Sequence, residues 1–317
     1  ALSYDPEGEI TVTCGVSEAV AATVFALTEP GDEVIILEPW YENYVPICIM
    51  AGVKPVFVPL TDPTYTIDFD RLDNSITKKT RLLILNNPHN PTGKVFSPAE
   101  LSQLAELCRK NDIIAVTDEI YEYIFYDNKK PICLASLPGM RERTVTISGL
   151  GKTFSLTGWR VGWAAANKPI TRLIRKVHDY LTVCAPAPFQ AAGIAALNLP
   201  PAYYEALRKK YTECKTMFLD PLYNAGFSFV EPAGAYYVMA GFEGIYWDRP
   251  DNNASSGKTP DRLFAEYMAS EIGVAVVPGS SFYYGSKNKI MTVRFNFAKK
   301  PTTLIEAVKR FQKIKQV

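Results

Sequence analysis

The sequence is poor in the features that mark several protein classes. It has only two histidines, His89 and His178, and its six cysteines include no C-x-x-C pair, so no zinc site is expected. No apolar run approaches the roughly 20 residues of a membrane helix, and no membrane partner is expected. Thirty-four basic and thirty-three acidic side chains leave a net charge of +1, which supplies no electrostatic drive toward nucleic acid. The first residues, ALSYDPEGEI, lack the basic lead and apolar core of a signal peptide. There is no repeat and no low-complexity tract. Cys14, Cys48, Cys108, Cys133, Cys184 and Cys214 read as reduced core residues of a cytoplasmic protein.

What remains is ordinary globular material. With 47% hydrophobic and 21% charged residues, disorder and coiled coil are excluded. A chain of 317 residues can bury a core without staples and suggests about two domains. The first strand candidate starts almost at once, so a natural start ahead of Ala1 is expected.

The first half alternates short β-branched runs with longer amphipathic stretches. Strands are expected at Ile10–Thr13, Val34–Leu37, Pro55–Val58, Arg81–Leu85, Ile113–Thr117, Thr144–Ile147 and Val161–Ala165. Helices are expected at Ser17–Leu27, Tyr41–Met50, Pro98–Lys110 and Ile170–Val183. Pro98 after Ser97 is a helix-entry signal. The alternation predicts an α/β domain over 1–198, a mostly parallel sheet with helices on both faces. Past Asn198 the pattern changes. A charged helix (Ala202–Leu222), strands at Phe227–Val230 and Tyr236–Ala240 and a polar loop (Asp248–Lys258) come first. A helix at Pro260–Ile272, strands at Val274–Val277 and Met291–Asn296 and a helix from Pro301 complete a smaller α+β domain over 199–317.

Open parallel sheets bind ligands beyond the carboxyl ends of their strands. Five such ends carry chemistry here. Gly15-Val16-Ser17 opens a helix, where free N–H groups can hold a phosphate, or where an ordinary cap can sit. Tyr41 follows the second strand. Asn90 lies in NNPHNPTG, where a turn role competes. Asp118 and Tyr121 follow the fifth strand. Lys152 lies in SGLGKT, with Arg160 eight residues on. Gly-Lys-Thr raises a nucleotide P-loop, but the glycine that motif requires is Thr146 here, so the P-loop fails. Arg160 and Arg294 taken singly are most often surface ion-pairing residues. Taken together, the set suits pyridoxal phosphate. That cofactor needs a lysine for its Schiff base, a carboxylate on its ring nitrogen and a phosphate cradle. Arg294, on the run MTVRFNF, suits a bidentate hold on a substrate carboxylate.

The sequence resembles the fold-type-I, class I/II pyridoxal-phosphate aminotransferases over essentially its whole length. The motifs that carry the likeness are CGVSEAV (14–20), EPWYENY (38–44), NNPHNPTGKVF (86–96), TDEIYEYIFY (117–126), SGLGKTFSLTGWRVGW (148–163), EPAGAYYVM (231–239), VVPGSSF (276–282) and TVRFNF (292–297). Its look is closest to the kynurenine and glutamine-type branch, with aspartate and methionine enzymes nearby. The resemblance implies that Lys152 forms the Schiff base and shuttles the proton, and that Asp118 pairs with the ring nitrogen. Tyr121 and Asn90 bind the phenolic oxygen, and Asn90 also reaches the substrate carboxylate. Tyr41 stacks on the ring; Gly15, Val16, Ser17 and Arg160 hold the phosphate; Arg294 holds the α-carboxylate. Many relatives have a serine three residues before the lysine. That position is Gly149 here, and Ser148, one earlier, is the candidate replacement. The family also carries several dozen residues ahead of its Gly15 motif, which supply a pocket lid and an aromatic for the partner's cofactor; they are not in this sequence.

The implied activity is ping-pong transfer of an amino group between an L-amino acid and a 2-oxo acid. A cytoplasmic homodimer without metal is implied too. Two rivals stand beside it: β-elimination from cysteine conjugates with the same cofactor, and a non-catalytic cofactor-binding regulatory domain.

Overall fold

The apolar runs of the first half become the strands of one sheet. In the computed structural model, which describes residues 2–247, 257–285 and 290–316, these are β1 (Ile10–Thr13), β2 (Glu33–Glu38), β3 (Lys54–Pro59), β4 (Thr80–Asn86), β5 (Ile114–Asp118), β6 (Thr144–Gly149) and β7 (Gly162–Ala165). They lie in the order β1-β7-β6-β5-β4-β2-β3. Pairing from β3 through β6 is parallel, and β7 runs antiparallel to both β6 and β1. The connecting helices are α1 (Pro6–Glu9), α2 (Val16–Leu27), α3 (Tyr44–Met50), α4 (Phe69–Ser75), α5 (Pro98–Lys110), α6 (Leu150–Thr153) and α7 (Lys168–Leu181).

Burial on both faces explains why these strands read as continuous apolar runs rather than alternating ones. Val34, Ile36, Leu82, Ile84 and Val116 pack with α2, α3 and α7. Their neighbours Ile35, Leu37, Leu83, Leu85 and Ala115 pack with α5. Each such Val, Leu or Ile contributes roughly 1.5–3 kcal/mol of burial. α5 starts where Ser97-Pro98 indicated. The Ser97 hydroxyl accepts from Glu100 N at 3.2 Å, and Glu100 Oε2 accepts from Ser97 N at 2.9 Å. This reciprocal cap is worth about 1 kcal/mol.

The first part ends with α8 (Ala187–Leu197), and the second comprises α9 (Pro201–Asn224), β8 (Ser228–Phe229), β9 (Tyr237–Gly241), β10 (Ile245–Tyr246), α10 (Pro260–Tyr267), β11 (Val277–Pro278), β12 (Thr292–Asn296), α11 (Pro301–Phe311) and β13 (Lys315–Gln316). Antiparallel β11, β12, β9 and β8 form a small sheet in that order, and β10 pairs with β13. An aromatic cluster of Phe218, Phe227, Phe264, Phe295 and Phe311 fills the core between this sheet and its helices.

Several elements differ from the sequence-based expectation. α3 begins at Tyr44, which leaves Tyr41 in the loop before it. α8 was not foreseen: APFQAAGIAAL has no polar stripe from which a helical period can be read. The helix expected to Ile272 is α-helical only to Tyr267; a π-type turn continues it to Ile272, and Gly273 stops it at φ 80°. The strand expected at Val274–Val277 narrows to Val277–Pro278, because the chain turns at Gly279 into a 3-10 turn. Of the polar stretch Asp248–Lys258, residues 248–256 lie outside the described residues. Cys48, Cys108 and Cys214 are buried and Cys14 and Cys133 partly so. Cys184 is exposed, which corrects its reading as a core residue. It follows Val183, whose φ of 66° turns the chain away from α7. Among the described residues, no helix is long and apolar enough to cross a membrane.

Candidate active site

The strand ends of the large sheet and one face of the small sheet enclose a cavity of about 220 Å³, far beyond the roughly 30 Å³ of one water. Its wall is built element by element. At the start of α2, Gly15 adopts φ 81° and caps the helix without a side chain. A Cβ there would sit 2.5 Å from Arg160 Nη2, and one on Gly162 of β7 would sit 2.7 Å from Val16 N. Glycine at both positions lets the Arg160 guanidinium and the β7 backbone close on the helix N-terminus. The result is a concave anion cradle: helix N–H groups, a positive helix end and an arginine. Arg160 Nη1 donates to Thr157 O at 3.0 Å. Glu18 fixes the cradle from behind. It accepts from Cys14 N, from the Thr182 hydroxyl at 2.7 Å and pairs with His178 Nδ1 at 2.6 Å.

Asp118, at the end of β5, is 2% exposed. Its Oδ2 accepts from the Tyr44 hydroxyl at 2.7 Å and its Oδ1 from Ile120 N at 3.2 Å. Burial pushes its carboxyl up to about 6, against the opposing effect of these two donors and of Lys152. Asn86, at the end of β4, donates to Asp118 O at 2.8 Å and accepts from Asn90 N at 2.6 Å. The asparagine side chain thus ties the Asn90 loop to the neighbouring strand end. His89 in the same loop is structural: buried, bonded to Thr92 at 2.8 Å, and pushed down to about 3 by burial. Tyr41 meets Tyr44 edge-on at 5.6 Å, and burial raises its phenol. Lys152, on α6, lies 5.8 Å from the Tyr121 ring centroid. The Tyr121 hydroxyl donates to Tyr237 at 3.2 Å.

From the small sheet, β12 brings Arg294. Its Nη1 donates to Asn90 Oδ1 at 2.8 Å, and its guanidinium lies over Tyr237 at 4.5 Å and Phe282 at 4.6 Å. Its Nε is buried with no hydrogen-bond partner. A buried, unpaired donor on a part-buried guanidinium suits a carboxylate ligand.

Of the residues singled out from sequence, Gly15, Val16, Ser17, Tyr41, Asn90, Asp118, Tyr121, Lys152, Arg160 and Arg294 all line this cavity. Ser148 does not: it is buried, and its hydroxyl donates to Glu122 Oε1 at 2.7 Å. Side chains alternate along β6, so a serine one residue before Gly149 points to the opposite face. The structure therefore corrects Ser148 as a phosphate ligand. Three cavity or neighbour residues went unread: Asn86, Tyr44 and Tyr237. Tyr44 stands three residues after Tyr41 in EPWYENY, and Tyr237 is the second tyrosine of AGAYYVM. Those spacings were the available signals.

A family model described as aminotransferase class I and II matches residues 1–311. The chain is 36% identical to a probable N-succinyldiaminopimelate aminotransferase DapC of Mycobacterium tuberculosis, an alignment covering 98% of this chain and 78% of that protein. It is 34% identical to human kynurenine–oxoglutarate transaminase 1, covering 95% and 76%. Among solved structures, the N-succinyldiaminopimelate aminotransferase of M. tuberculosis superposes with a TM-score of 0.92, at 36% identity and 98% and 79% coverage. Escherichia coli YbdL, described with a methionine aminotransferase function, superposes at 0.89, with 32% identity and 98% and 78% coverage.

Proposed function

The chain belongs to the class I and II aminotransferases, and from that premise we propose a residue-by-residue assignment of its cavity. Members of this family depend on pyridoxal phosphate, and the chain is a transaminase acting between amino and 2-oxo acids. Bound, the cofactor supplies a carbonyl carbon that bonds to amines and a ring that draws electrons from the bonds beside it.

The residues fit it. The Gly15–Ser17 cradle and Arg160 would hold the phosphate, and Asp118 would keep the ring nitrogen protonated. Tyr121 and Asn90 would bind the phenolic oxygen, and Tyr41 would cover the ring. Lys152 would hold the cofactor through Nζ. Its Nζ, once free, would move a proton to and from the substrate Cα, a general acid–base step worth about 10²–10⁴-fold. Arg294 would take the substrate carboxylate on its guanidinium, whose Nε is unpaired and whose Nη1 donates to Asn90. The observation that carries this reading is the convergence of Lys152, Asp118, Tyr121 and Arg294 on one cavity. Lys152→Ala tests it: transamination should fall at least about 100-fold in a protein with an unchanged far-UV spectrum. Near-normal turnover removes the assignment.

We also read the chain as two domains, 1–198 and 199–317, in line with the separate large and small sheets. A homodimer is supported by exposed apolar side chains along α7, α8 and the loop between them: Tyr180, Leu181, Val183, Ile194 and Leu197. Light scattering at twice the chain mass is the expected result. Six free thiols suit a cytoplasmic location. A panel spanning aromatic, kynurenine-, glutamine- and aspartate-type donors would identify the substrate.

A further inference from the structure

The Tyr237 hydroxyl has no place in these assignments, yet it sits between two of them. β9 carries it from the small sheet, and Tyr121 reaches it from the β5 end of the large sheet, hydroxyl to hydroxyl at 3.2 Å. The two rings meet edge-on, 5.9 Å between centroids. On its other side the ring lies 4.5 Å from the Arg294 guanidinium. One side chain therefore touches both the phenol assigned to the cofactor and the arginine assigned to the substrate carboxylate.

We propose that Tyr237 is a positioning residue whose hydroxyl donates to Tyr121, leaving the Tyr121 proton for the cofactor's phenolic oxygen, while its ring seats Arg294. This rests on the cofactor reading above. A phenol has one proton to give. Tyr121 can spend it on Tyr237, as it does here, or on the cofactor, but not on both. With the cofactor bound, the favourable arrangement reverses the direction between the tyrosines: Tyr237 donates to Tyr121, and Tyr121 donates onward. A donor that also accepts is polarised and donates more strongly. Stronger donation to the phenolic oxygen stabilises its anionic form. That lowers the proton affinity of the nitrogen joined to Lys152.

The groups facing Tyr237 are accounted for. From β12 there is Arg294, from the turn just before β9 Tyr236, from α9 Tyr211 and from the loop before α3 Tyr41. Asp118 and Lys152 face it through Tyr121. Burial and their crowded neighbours hold the Tyr121 and Tyr236 phenols far above their ordinary range. Across the working pH range these phenols stay neutral, and the group that titrates is the nitrogen on Lys152.

The test is a pH titration of the visible absorption of the full chain loaded with pyridoxal phosphate, wild type against Tyr237→Phe. The midpoint should rise by roughly half a pH unit in the variant, and further in the same direction in Tyr121→Phe. A midpoint that stays in place or falls overturns the proposal. A wild-type protein with no visible band overturns the cofactor reading and this inference with it; a band whose midpoint ignores Tyr237→Phe overturns this inference alone. Binding of maleate, a non-reacting dicarboxylate, tests the ring. Tyr237→Phe keeps the ring and should bind it within twofold of wild type, whereas Tyr237→Leu should bind it about threefold or more weakly. Equal affinity in the leucine variant contradicts the seating role. The phenylalanine variant removes one oxygen, and a melting scan verifies its fold.

Discussion

On the large-sheet wall of the cavity, Asp118, the Asn90 backbone and the α2 cradle are held by their own surroundings. Asp118 has Tyr44 and Ile120 N, Asn90 has Asn86, and the α2 cradle has Glu18 behind it. On the small-sheet wall, Arg294 and Tyr237 have their polar bonds across the cavity, to Asn90 and Tyr121. One wall is fixed before anything binds; the other is positioned by contacts that a substrate carboxylate or a phenolic oxygen can take over. Preorganised groups contribute most where charge develops, so the fixed wall suits the chemistry and the exchangeable wall suits substrate entry and release.

Substitutions on the two walls should therefore separate. The largest effect belongs to Asp118→Asn, which removes the charge under the ring nitrogen: turnover should fall about 100-fold or more, read by steady-state kinetics. The same change should stabilise the cofactor-free protein above pH 6. The folded Asp118 carboxyl is raised by burial from 3.8 to about 6. Its contribution to stability is thus full below the unfolded pKa and is lost as pH rises through about 6. The melting temperature of Asp118→Asn should exceed that of wild type at pH 8, and the difference should vanish at pH 4. No gain at pH 8 would mean that the carboxylate is not strained by its burial.

Next comes Arg294→Lys on the exchangeable wall. A point ammonium replaces the bidentate fork, so KM should rise about tenfold or more with kcat less affected. Equal loss in both would place Arg294 with the fixed wall. Tyr44→Phe withdraws one donor from Asp118. Turnover should drop about tenfold, as for one hydrogen bond to a charged group, without a change in KM. The smallest effect is expected for Ser148→Ala. Its hydroxyl faces Glu122 rather than the cavity, so cofactor affinity should stay within twofold, while stability falls by about 1 kcal/mol for the lost bond. A large loss of cofactor affinity would return Ser148 to the phosphate site.

The same contrast shows what could be read in the sequence. The strand-end groups were legible because a parallel sheet delivers every strand end to one edge: Gly15, Asp118 and Lys152 could be placed from chain order alone. Facing was harder. In Ser148-Gly149, adjacent residues point to opposite sides. A register shift of one decides whether a hydroxyl enters the cavity, and no local pattern fixes that register. The bond from Tyr44 to Asp118 spans 74 positions, a contact that only the packed sheet creates. α8 stayed hidden for a different reason, since its apolar residues run all round and include exposed Ile194 and Leu197.

The central claim is that Lys152 is the residue that holds pyridoxal phosphate. Borohydride reduction of the loaded protein followed by peptide mass mapping tests it most directly. A single pyridoxyl-phosphate adduct is expected on the peptide containing Lys152; an adduct on a different lysine, or none on a protein that carries the cofactor's absorption, would contradict the assignment.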